Sequence, residues 1–451
     1  MTAPDRARRL ARAVRGVGLG AATAGGMAGA GVFRSMRTAY PPTRRPSPPD
    51  GWPATGSSPD GRVVVAVVLG ASGSVISDAL GPYEVFARSP KFHVYTVSAG
   101  PTATLSGGLV VVPNHSFDDV DAGSAPEPDV VVVPAVVAPK SKAEAPLRTW
   151  LVGQSERGAH VLGVCAGSAL LAATGLLDGR RATSHWSRIR GLQRRYPLVF
   201  WERGKRYVED DKITTTAGVT SGVFGALRLV EQLAGAAEAA RVGRELAYPG
   251  WSLDAPVDLV AQRGTPQDLA AIMAVVAPWL RPTLGVGLVD GTSEIAVAAP
   301  FEVYANSWSA RLVPIAATRT VTTRHGLRIV PTPVATAPRV DRFLVPGVAN
   351  LEDVDRPLVQ WASDRQVVVE IPNGGDSDGV IAFDPMLRDL ALHTDRATAR
   401  VTAKSMEYPT AHLRLAGTAW PWRPTALFGA IVATAIWVGR LSGATARWRR
   451  R

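Results

Sequence analysis

The one cysteine of the chain, Cys165, lies in the run His160-Val-Leu-Gly-Val-Cys-Ala-Gly-Ser-Ala-Leu-Leu-Ala-Ala-Thr-Gly. A buried-strand pattern ends at Val164 and a helical pattern starts almost at once, so Cys165 occupies a sharp turn between Gly163 and Gly167. Small neighbours permit such a turn, which lifts a nucleophile to the C-terminal edge of a sheet. A helix N-terminus beneath the sulfur favours thiolate over thiol. The free backbone N–H groups of Ala166 and Gly167 are the expected binding site for an oxyanion. The plainer alternative stays open, because a lone cysteine is often just a small buried hydrophobe. One cysteine excludes an internal disulfide and every multi-cysteine zinc site; no metal and no cofactor is expected.

The elements around Cys165 read as alternating strands and helices. Residues 63–69 are an unbroken β-branched and apolar run, the mark of a strand covered on both faces. Residues 77–89 have helical character, 92–98 alternate as a strand, and 129–134 (DVVVVP) form a second fully buried strand. A helix over 147–157 and the strand 160–164 complete the approach to the elbow. This alternation predicts an α/β fold, a flavodoxin-like parallel-sheet sandwich over residues 62–250.

Gly163-Val-Cys-Ala-Gly-Ser, then Gly175-Leu-Leu-Asp-Gly-Arg-Arg-Ala-Thr-Ser-His-Trp, then Thr214-Thr-Thr-Ala-Gly-Val-Thr-Ser-Gly resemble the PfpI-like group (ThiJ/PfpI) of the class I glutamine amidotransferase-like superfamily. Within it the resemblance is to the amino-terminal domain of AraC-type regulators and to the isocyanide hydratase subgroup. It implies Cys165 as nucleophile. It places the acid that contacts the thiol on Asp78, four residues before Pro82; on its own residues Asp78 also reads as a helix N-cap. Glu84 is a second acid near the site, equally readable as structural. His185, 20 residues after Cys165, matches a site histidine of the deglycase branch or is a satisfied structural histidine. Ala166 stands where the protease branch has histidine, so peptidase activity is not implied, and the missing downstream His-x-Glu pair argues against ammonia transfer.

The chain also repeats itself. Gly81-Pro-Tyr-Glu-Val-Phe-Ala-Arg-Ser returns as Ala299-Pro-Phe-Glu-Val-Tyr-Ala-Asn-Ser, and Leu246-Ala-Tyr-Pro as Met406-Glu-Tyr-Pro. In this alignment Ala296 replaces Asp78 and Pro372 replaces Cys165, so a second, degenerate copy is expected over 283–415, after a linker at 251–282. Its Glu302 matches Glu84 and is expected to stand apart from any reactive group. Such a copy would cover the first site or imitate a dimer partner; a homodimer is the other arrangement.

The ends differ from the middle. Residues 1–45 hold nine arginines and one aspartate, and 423–451 six arginines and no acid, which exceeds the whole net charge of +12 and leaves 46–422 slightly acidic. That distribution argues against direct nucleic-acid binding. The uncharged run 16–33 predicts a membrane span or signal within residues 1–37, and 424–441 a C-terminal transmembrane helix. Residues 38–61 read as a Pro-rich spacer. Flanking arginines then place both ends in the cytoplasm and the folded units outside the cell membrane. Three functions remain: a membrane-anchored enzyme using Cys165 on a small electrophilic metabolite, a non-catalytic ligand sensor related to AraC-type regulators, and a membrane scaffold with a vestigial site.

Overall fold

A computed structural model of the chain describes residues 3–39, 61–276, 278–372 and 383–445. The first unit is built on β1 (Val63–Leu69), β2 (Phe92–Ser98), β3 (Val110–Val112), β4 (His115–Ser116), β5 (Val130–Val133), β6 (His160–Gly163), β7 (Tyr207–Asp210) and β8 (Ile213–Thr216). Seven of these form one sheet in the order β7-β8-β6-β5-β1-β2-β4. All neighbours are parallel except the edge pair β7 and β8. β1 sits in the middle with helices on both faces, which is why its residues need no polar alternation. The helices that matter for the site are α1 (Ile76–Ala87), α2 (Gly167–Thr174) and α3 (Ser221–Ala234).

The second unit uses β9 (Thr283–Gly287), α4 (Glu294–Ser307), β10 (Arg311–Ala316), β11 (Arg328–Val330), β12 (Thr332–Pro333), β13 (Arg342–Leu344), β14 (Val369–Glu370) and α5 (Arg396–Ser405). Its sheet runs β12-β10-β9-β13-β14, all parallel. That order matches β4-β2-β1-β5-β6 strand for strand, and among the described residues nothing corresponds to β8 and β7. The 251–282 stretch contains a helix of its own, Leu269–Val276.

The units face each other through paired contacts. Glu84 on α1 accepts a hydrogen bond from Ile295 N (2.6 Å), at the start of α4. Glu302 on α4 accepts one from Ser77 N (3.2 Å), at the start of α1. Each carboxylate therefore meets orphan amides at the opposite helix N-terminus. β3 pairs antiparallel with β11, with Val111 opposite Ile329 at the centre. Tyr248 and Tyr408 meet edge to face with centroids 5.7 Å apart. These exchanges describe an approximate two-fold axis, and one apolar core runs through it, including Leu80 and Phe86 from one side and Phe301 and Tyr304 from the other.

The terminal helices, Ala3–Ala39 and Trp422–Thr445, correct the membrane expectation. Among the described residues no helix is long and apolar enough to cross a membrane. The predicted transmembrane helices, the membrane location and the placement of the folded units outside the cell membrane lose their support with it. The physical reason is visible in both segments. The N-terminal run is mostly Gly and Ala, which contribute little transfer energy, and the C-terminal run has 16 residues between Arg423 and Arg440, against about 20 for a span. The two helices instead pack on each other: a Cβ on Gly20 would lie 2.6 Å from Ile436 Cγ1. The Pro-rich spacer falls almost wholly on residues 40–60, outside the described residues.

Candidate functional site

Cys165 follows β6 and has φ +55°, a left-handed conformation that costs energy for any side chain. Its surroundings hold the turn. A Cβ on Gly167 would stand 2.1 Å from Val133 O, and one on Gly222 2.6 Å from Val164 Cγ1, so α2 and α3 approach the elbow only through glycine. The Cys165 N–H donates to Thr216 Oγ1 (3.4 Å), and its carbonyl accepts from Ser168 Oγ (3.0 Å) and Ser184 Oγ (3.1 Å). The Ala166 N–H points to the sulfur. The Gly167 N–H, however, is spent on Val164 O at 2.7 Å. Of the two expected oxyanion donors, Ala166 is in place and Gly167 acts as a packing residue.

Asp78, on the first turn of α1, is fully buried. Its Oδ2 accepts from Ala135 N (3.1 Å), and no side chain caps α1, so the N-cap alternative does not hold. Its Oδ1 has no hydrogen-bond partner among the described residues, and the carboxyl lies close enough to the Cys165 thiol to interact with it. Burial, then the nearby Glu302 charge, pushes the Asp78 carboxyl well above the usual range. Burial, then the Asp78 charge, pushes the thiol up as well. The helix N-terminus therefore does not by itself yield a thiolate. A thiolate here requires Asp78 to carry the proton, which removes the repulsion and turns the acid into a donor to sulfur.

The His185 ring nitrogens are engaged by partners other than the thiol. Its Nδ1 bonds Ser187 Oγ (2.8 Å) and its Nε2 bonds Ser405 O (2.7 Å), a carbonyl of the second unit. Burial lowers its pKa, which favours the neutral imidazole, and the ring ties the two units together. Glu84 is likewise an interface residue, paired with Arg88 (2.6 Å) besides Ile295 N.

Two acids that the sequence did not assign to the site approach it from the second unit. Glu302 is buried close enough to raise both Asp78 and Cys165. The expectation that it stands apart was wrong, because the paired helices bring it across the interface. Glu407 also raises the thiol and accepts hydrogen bonds from Gly218 N and Ser221 Oγ (3.4 Å) at the start of α3. The one signal for it was the Glu in Met406-Glu-Tyr-Pro where the first copy has Ala247. A cavity of about 950 Å³ is walled by Ser184, Trp186 and Arg206 from the first unit and Lys404 and Glu407 from the second; Cys165 and Asp78 are not in its lining, and it adjoins the elbow through Ser184, whose hydroxyl bonds the Cys165 carbonyl. Its size suits a small organic molecule. Away from the site, Glu370, Asp389 and His393 have the spacing of a metal site. The Arg342 guanidinium already bonds both of those carboxylates, so a cation would have to displace it.

Comparison with known proteins bears on the first unit. Residues 64–232 match the family model of the DJ-1/PfpI family. The chain is 34% identical over 174 residues to an isonitrile hydratase of Pseudomonas putida, covering 38% of this chain and 72% of the hydratase. It is 37% identical over 136 residues to an uncharacterised protein in the cpoL 5′ region of Streptomyces lividans, covering 29% of this chain and 94% of that one. It is 30% identical over 155 residues to the HTH-type transcriptional regulator CdhR of Pseudomonas aeruginosa, covering 34% of this chain and 44% of the regulator. With the elbow, the parallel sheet and these relatives in agreement, the chain belongs to the DJ-1/PfpI family.

Proposed function

We propose that Cys165 is the nucleophile of a reaction on a small electrophilic molecule and that Asp78 is its proton partner. The observation that carries this reading is the strained elbow, Cys165 at φ +55° with a buried carboxyl against its sulfur. A cysteine serving only as core filler requires neither a left-handed backbone nor an acid buried at that cost. The Pseudomonas putida relative, an isonitrile hydratase, suggests the electrophile. The terminal carbon of an isonitrile can add the thiol, Asp78 relaying the sulfur's proton to that carbon; carbonyl compounds and amides are the other classes. The Ala166 N–H stabilises negative charge at sulfur. Residues 283–415 are read as a degenerate copy that closes the site and carries no nucleophile of its own. The test is a panel of alkyl isonitriles, small aldehydes and amides offered to the full chain, with products followed by mass spectrometry. Turnover or a covalent adduct that Cys165→Ala abolishes supports the reading; neither, across all three classes, overturns it.

A second reading is ligand sensing without turnover. The match to an HTH-type regulator and a cavity large enough for a metabolite support it. Saturable binding with no product and no adduct would favour it.

A further inference from the structure

We propose that Glu407, carried by the second unit, is the acid–base group that faces the adduct on Cys165, so that the reactive centre is composite. This rests on the nucleophile reading above.

Three observations point to it. First, the two copies share a turn: Ala247 (φ +48°) before Tyr248-Pro249, and Glu407 (φ +54°) before Tyr408-Pro409. The left-handed backbone thus belongs to the turn in both copies, but only one copy carries a carboxyl there. That copy is the one whose turn reaches the intact elbow. Second, the first unit makes room for it. A Cβ on Gly218 would lie 2.7 Å from Glu407 Cδ, and the Gly218 N–H and Ser221 hydroxyl bond the carboxylate. Third, Glu407 lines the cavity together with Ser184, whose hydroxyl bonds the Cys165 carbonyl, so cavity, carboxyl and elbow adjoin.

The groups facing Glu407 are few. Arg206 lies in the same wall, stacked on the Phe224 ring at 3.9 Å. Lys404 of α5 is held by Asp268 at 2.8 Å. Cys165 is the acidic neighbour, near enough for the Glu407 charge to raise its thiol. Burial pushes the Glu407 carboxyl up to about 7, so both its forms are populated near neutrality, as proton transfer in both directions requires.

For an isonitrile the steps balance with water alone. The thiol S–H adds across the terminal carbon and gives a thioimidate. Water oxygen then bonds to that carbon, and one water proton passes through Glu407 to the nitrogen. The C–S bond breaks with its electron pair going to sulfur, and the remaining hydroxyl proton returns to sulfur through Asp78. The product is the formamide.

The test uses the full chain with Glu407→Gln, which is isosteric, and Gly218→Ala, which displaces the carboxyl without removing it. Both should cut turnover of the substrate found for the wild type by roughly 10²-fold and let the covalent adduct accumulate in the mass spectrum. A readout that needs no substrate is the pH profile of Cys165 alkylation by iodoacetamide. The wild type should show a step near the Glu407 midpoint of about 7 that both variants lack. Turnover within about twofold of wild type, or superimposed alkylation profiles, overturns the role of Glu407 alone. A Cys165 that alkylates only after unfolding overturns the nucleophile reading beneath it.

Discussion

Cys165 and Asp78 share the burden of one strained site. The thiol projects from a turn, so Cys165→Ala should lower stability by no more than about 1 kcal/mol while abolishing adduct formation. Asp78 behaves differently, because its folded carboxyl is held well above its unfolded value by burial and the Glu302 charge. A group with a raised folded pKa contributes stability that is fully present below the unfolded pKa and lost as pH rises through the folded one. Asp78→Asn removes that loss. Its melting temperature, measured from pH 4 to 8, should gain on wild type as pH rises, by about 2–4 °C for each kcal/mol relieved. Alkylation of Cys165 at neutral pH should slow at the same time, since the amide cannot take the proton. A constant difference in melting temperature across that range would mean that Asp78 is not the titrating partner. His185 shows the opposite outcome at this scale. Its spacing from Cys165 suggested a base, but both ring nitrogens are occupied by Ser187 and Ser405.

Helix approach sets the elbow's shape. Gly167 starts α2 with no room for a methyl group, since its Cβ would meet Val133 O at 2.1 Å. Gly167→Ala should destabilise the chain by about 1–3 kcal/mol, as overpacking does. It should also slow Cys165 alkylation, because α2 must shift. Urea unfolding together with the alkylation rate checks both. The pairing of α1 with α4 has a more specific consequence. Each lends a carboxylate to the other's N-terminus, and the Glu302 charge is the second largest cause of the raised Asp78 pKa. Glu302→Gln should therefore move the pH midpoint of alkylation downward. An unchanged midpoint would show that the interface carboxylate does not reach the site.

At the scale of the whole molecule, the two units meet as a pair of subunits would, with reciprocal helix contacts, β3 against β11, and a shared core. We propose that the second unit occupies the face through which a lone first unit would dimerise. The full chain should then be monomeric by light scattering. A fragment ending at residue 250 should dimerise or aggregate, because it exposes α1 and its apolar face. A monomeric, fully reactive fragment would show the second unit to be a passenger.

The sequence by itself determined the local structure around Cys165. The valine runs of β1 and β5 and the small-residue turn at Cys165 each record a constraint that acts within a few residues, so they were legible without coordinates, whereas the part given to Asp78 came from the family resemblance. The repeat was read from the same kind of pattern, even where Pro372 replaces the nucleophile, and the matching strand orders of the two units support it. Only the tertiary structure decided what faces what. Gly167 N–H turned out to be spent on Val164, His185 to hold the second unit, and Glu302 and Glu407 to cross an interface. The terminal helices also found each other, through glycines whose missing side chains admit Ile436. Burial and proximity depend on groups far apart in the chain, and those are the quantities that shift a proton or complete a site.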